Sequence, residues 1–87
     1  MVAADRENEN AVNLLLADVF RVLGAMDAVD PRDGREQLET IIRKGWNALE
    51  ELPRRRDLLN LSREDALLFE SALDRLRARL RFLVRAK

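Results

Sequence analysis

The sequence predicts an all-α fold, a small antiparallel three-helix bundle. Three observations carry that prediction. Apolar residues recur at three-and-four spacing almost throughout, the period of a helix with one buried face. Two interruptions, "VDPRDG" and "LPRRRD", divide the chain into three stretches of similar length. At 87 residues there is room for one domain, residues 1–87. A chain of this size buries only about 60% of its unfolded surface, so the bundle either closes alone or is completed by dimerisation.

The first helix is expected over about 8–28. Its stripe is Val12, Leu15, Leu16, Val19, Val22, Leu23 and Met26. In the first break, Asp30 or Asp33 offers a cap, Pro31 suits a first helical turn, and Asp33 with Glu36 has capping-box spacing. The second helix is expected over about 34–52, with Leu38, Ile41, Ile42, Gly45, Trp46, Leu49 and Leu52 inward. Pro53 should end it, since proline lacks a donor and disfavours a helical residue before it. Arg54, Arg55 and Arg56 would then lie on a connector. Ser62 followed by Asp65 is the clearest cap in the chain. The third helix is expected over about 63–85, with a stripe of Ala66, Phe69, Ala72, Leu73, Leu76, Leu80, Leu83 and Val84. Helices of these lengths would run roughly 28–35 Å at 1.5 Å per residue, which suits short antiparallel connections.

Several large apolar residues fall outside these stripes. On the first helix they are Leu14 and Phe20, the latter sharing a side with Ala17, Gly24 and Ala28. On the third they are Leu67, Leu68 and Phe82, and Leu68, Ala86 and Phe82 lie along one flank with Arg75 and Arg79 between them. Either the segment "DLLNL" covers some of this surface, or these residues form an interface with another protein or a second copy.

Charge is balanced overall but not along the chain. Residues 1–42 carry nine acids and four bases, and residues 43–87 carry seven acids and twelve bases. The basic groups fall into two runs. One is Arg54, Arg55 and Arg56; the other includes Arg75, Arg77, Arg79, Arg81, Arg85 and Lys87. Nucleic-acid binding would need them on one face. Helical spacing instead fans the second run around its helix, and basic residues near a helix C-terminus also suit its dipole.

Composition excludes several chemistries. With neither histidine nor cysteine, the chain lacks the usual members of nucleophilic triads, thiolate metal sites and the Glu-x-x-His pattern of di-iron bundles. Gly24, Gly34 and Gly45 are isolated, so no glycine-rich phosphate loop exists. No cofactor and no enzymatic activity are expected. No secretory signal pattern opens the sequence, and its longest apolar run is far below the roughly 20 residues that span a bilayer. A cytoplasmic protein with no membrane contact is expected.

Residues 45–61, "GWNALEELPRRRDLLNL", resemble a segment of small helical flagellar export chaperones. Gly45, Trp46, Leu49, Glu50, Leu52, Arg56, Leu58 and Leu59 follow that family's cadence. The resemblance covers 17 residues, and Pro53 and "DPRDG" depart from the continuous helix it implies. It implies a cytoplasmic chaperone that binds a partner's helix in an apolar groove. From the residues themselves, the expectation is a non-enzymatic interaction module: an adaptor, a chaperone, or a small inhibitor or regulator, acting by helix packing. A nucleic-acid-binding helical module using the arginines is the alternative.

Overall fold

A computed structural model describes residues 2–32 and 34–86, with side chains from Arg6 onward. It contains three helices: α1 (Val2–Asp27), α2 (Arg35–Asp57) and α3 (Arg63–Ala86). Every pair of helices packs together, forming a three-helix bundle about 51 × 19 × 18 Å. Cross-helix ties give the directions. Asp27 at the end of α1 meets Arg75 and Arg79 late in α3, so these two helices run parallel. Arg56 at the end of α2 meets Glu70 early in α3, so α2 runs antiparallel between them.

The core is the stripe that periodicity marks. Val12, Leu15, Val19, Leu23 and Met26 from α1 meet Leu38, Ile41, Ile42 and Leu52 from α2, and Phe69, Leu73, Leu76, Leu80 and Leu83 from α3. Ala48 and Ala72 complete it, and no polar or charged side chain is buried among the described residues. One chain thus closes the core without a second copy. The segment after α2 covers it only in part: Leu59 and Leu61 pack against it, whereas Leu58 is exposed.

Four expectations need correction. Helix α1 starts several residues before position 8. Periodicity detects a packed face, and Asn8 already stands level with the α2–α3 connection, where its Nδ2 donates to the Asn60 carbonyl at 3.0 Å. Next, α2 does not stop at Pro53 but continues to Asp57. A proline inside a helix costs about 3 kcal/mol. Contacts beyond the proline hold that last turn: Arg55 Nη1 donates to Asp18 Oδ2 at 2.8 Å, and the Leu58 and Leu59 amides bond back to Arg55 and Arg56. The three arginines are therefore helical, not part of a connector. The segment 45–57 is also one continuous helix.

The cap of α2 differs as well. Its N-cap is Gly34, at φ 126°, with no side-chain capping bond. Asp33 lies outside the described residues, as does Lys87. Asp30 Oδ1 accepts instead from the Arg32 amide at 2.9 Å, and Pro31 sits in that turn before the helix. The Ser62 cap is present, with its Oγ accepting from the Asp65 amide at 3.1 Å.

Finally, Trp46 and Val84 are about half exposed instead of inward. The cause for Trp46 is its neighbour. A Cβ at Gly45 would lie 2.7 Å from Leu80 Cδ2 and 2.8 Å from Met26 Sδ, so all three helices converge there. Successive helical residues point 100° apart, and with Gly45 aimed at the core, Trp46 is carried to the rim. Val84 lies one residue beyond the buried Leu83 and is turned outward in the same way.

Two glycine substitutions should separate these effects. Gly45→Leu forces overlap with two buried side chains and should destabilise by more than about 2 kcal/mol in chemical denaturation. Gly24 is helical, and a methyl group there would meet nothing within 4 Å. Gly24→Ala should therefore gain about 0.5–1 kcal/mol in the same measurement.

Candidate functional site

The outward residues sort into three surfaces. The first is the outer seam between α1 and α3. Phe20 and Leu68 are 42% and 50% exposed. Phe20 lies seven residues before Asp27, and Leu68 lies seven before Arg75. Seven residues are two turns, about 10 Å, on the same side of a helix. Since Asp27 Oδ2 and Arg75 Nη2 face each other at 3.8 Å, Phe20 and Leu68 stand opposite each other on the same seam. Ala17 and Gly24 flank Phe20 by helical spacing, and the space beside Gly24 is open.

Phe82 does not join that pair. Between them sits a clamp on the end of α1. Arg79 Nε donates to the Met26 carbonyl at 3.1 Å and its Nη2 donates to the Val29 carbonyl at 2.9 Å. Its Nε also lies 3.8 Å from Asp27 Oδ1, and its guanidinium carbon lies 4.9 Å from the Phe82 ring centre. The last turn of α1 has no basic residue of its own. Arg79 supplies the positive charge and donors that a helix C-terminus needs, from a different helix. Its place beside the apolar stripe was readable from sequence; its use as a cap was not.

Leu14 lies apart from Phe20, on the α1–α2 side, where it lines a shallow pocket with Ala11, Arg55, Leu58 and Leu59. This second surface continues into a polar groove held by the Asp18–Arg55 pair.

The third surface is the outer groove between α2 and α3. Trp46, Leu49 and Glu50 from α2 face Arg77 and Arg81 from α3 around a cleft of about 350 Å³. Arg77 Nη1 donates to Asp74 Oδ1 at 3.0 Å, an exposed pair one turn back on the same helix. Periodicity assigned Trp46 to the core and the two arginines to a solvent face, so it did not bring them together. The signal that could have found them is Gly45 at the core-facing position.

The basic run on α2 does not lie on one face. Arg55 turns to Asp18 of α1 and Arg56 toward Glu70 of α3, while Arg54 is exposed with no ion pair among the described residues. Arg77, Arg81 and Arg85 lie on another helix and share the side of α3 away from α1. The arginines thus divide among separate faces. Among the described residues there is no cluster of metal-ligating side chains, and no helix is long and apolar enough to cross a membrane. No protein-family model, curated protein or solved structure matches the chain, so the likeness of residues 45–61 to export chaperones gains no support from them.

Substitutions should distinguish the clamp from its neighbour. Arg79→Ala leaves two carbonyls without charged donors and should cost about 1.5–3 kcal/mol in thermal or chemical unfolding. Arg75→Ala removes an exposed, long ion pair and should change stability by less than about 0.5 kcal/mol.

Proposed function

We propose that this chain is a non-catalytic protein–protein interaction module that self-associates by helix-on-helix packing at the outer α1–α3 seam. The observation that carries the reading is the pairing of Phe20 with Leu68 on that seam. Their exposure is not the cost of an incomplete core, because the core is closed and wholly apolar without them. Two large apolar side chains flanked by Ala17 and the open position at Gly24 suit the close approach of another helix. The Arg75–Asp27 pair lies two turns further along, at the edge of the same surface. Such rim charges set orientation and partner choice more than affinity.

A second copy is the simplest occupant, since a two-fold interface places the same patch on both partners. The roles open to such a module are those of an adaptor, a chaperone or a regulator of a larger assembly. Each needs a folded surface that binds without chemistry.

The experiment is a mass measurement by light scattering over a concentration series. Wild-type protein should approach twice the 10.1 kDa chain mass. Phe20→Glu with Leu68→Glu should remain at the single-chain mass and folded, with an unfolding midpoint close to that of wild type at concentrations where it is a single chain, because both positions are already exposed. A wild-type mass that never rises, or a dimer untouched by the two substitutions, would sink the reading.

A further inference from the structure

We infer that the α2–α3 cleft is a second binding site, which takes an amphipathic partner helix carrying an apolar side chain flanked by carboxylates. Trp46 is the first reason. An indole 50% exposed beside a buried glycine is held at the surface by the fold itself, and Leu49 extends its apolar floor. Tryptophan and arginine are the residue types that most often dominate binding energy at interfaces.

The second reason is charge. Arg77 and Arg81 lie one turn apart, about 6 Å along α3, on the cleft wall. Arg81 has no ion pair among the described residues. Arg77 holds only the exposed Asp74, a contact readily exchanged. Against these stands one carboxylate on the cleft, Glu50. A positive wall beside an apolar floor calls for the opposite pattern in the ligand. Carboxylates four residues apart on a helix match the spacing of Arg77 and Arg81, and an apolar residue between them reaches Trp46. A helix laid in this groove would also turn the three-helix bundle locally into a four-helix one. The site does not depend on self-association. Phe20 and Leu68 lie on the seam between α1 and α3, and the cleft lies on the flank of α3 that faces α2.

Trp46 is the only tryptophan, so its emission reports on this cleft alone. The probe is a synthetic helical peptide with leucines on one face and glutamates four residues apart beside them. Titration into the Phe20→Glu variant, which lacks the seam contact, should give a saturable blue shift of Trp46 emission. Arg77→Glu with Arg81→Glu should weaken binding at least tenfold, and Arg77→Gln with Arg81→Gln serves if the reversal impairs folding. Affinity should fall as salt rises, since the charges are exposed. The inference is overturned if the emission does not respond, if the same peptide with lysines for glutamates binds equally well, or if neither arginine variant changes the affinity. Tighter binding of a single-stranded oligonucleotide would overturn it in favour of nucleic acid. A concentration-dependent shift without peptide would assign the cleft to a second copy instead.

Discussion

The fold turns on the point where Met26, Gly45 and Leu80 meet. A methyl group at Gly45 would overlap atoms of both partners, so α2 sits closer to α1 and α3 there than any other side chain would permit. Close approach at one level fixes the rotation of α2 about its own axis, because only one residue in each turn can face that point. Everything else on α2 follows from that rotation. Leu38, Ile41, Ile42 and Leu52 fall inward, Ala48 fits where α1 is near, and Trp46 has nowhere to go but the rim. The cleft facing Arg77 and Arg81 is therefore a by-product of core packing, made from the same constraint that stabilises the bundle.

An all-apolar core does not by itself choose a register, since hydrophobic contact is non-directional. Direction and register come from polar ties at the perimeter, spread along the long axis. At one end the Asn8 side chain exchanges two hydrogen bonds with the Asn60 backbone, at 3.0 and 3.1 Å. Near the middle Asp18 holds Arg55. At the other end Arg79 binds the carbonyls that close α1. A slide of α1 by one turn would break all three together. Each tie is modest alone, but every one leaves unpaired polar groups behind if it is lost.

Much of this was legible in the sequence and some was not, for identifiable reasons. The three helices, their inward stripes and the Ser62 cap follow from spacing and short-range chemistry, which act within a few residues. Most of the failures involve distant partners. Pro53 is a reliable stop only when nothing holds the residues after it, and here Asp18, more than thirty positions away, holds Arg55. Trp46 fitted an apolar stripe, but the size of the space it would occupy depends on Met26 and Leu80. Leu68 and Phe82 share a flank by spacing, yet the end of α1 arrives between them and recruits Arg79. Phe20 and Leu68 are separate misfits in sequence, and helical spacing sets them on one seam only once the parallel register of α1 and α3 is known.

Arg79 and Arg81 show how placement decides the role of a side chain. They are the same residue type, two positions apart on one helix, about 200° apart around its axis. Arg79 reaches a helix end with unsatisfied carbonyls, so its donors are consumed inside the molecule and its loss would be felt as instability. Arg81 reaches a cleft whose floor is tryptophan and whose own acid is a single glutamate, so its charge stays available. No count of arginines distinguishes the two. What distinguishes them is whether a backbone terminates beside the guanidinium, and that is set by the lengths of the helices and the register in which they pack. In this bundle the α1 side of α3 thus commits Arg79 to holding the fold, and the α2 side leaves Arg81 facing outward, where charge can select a partner.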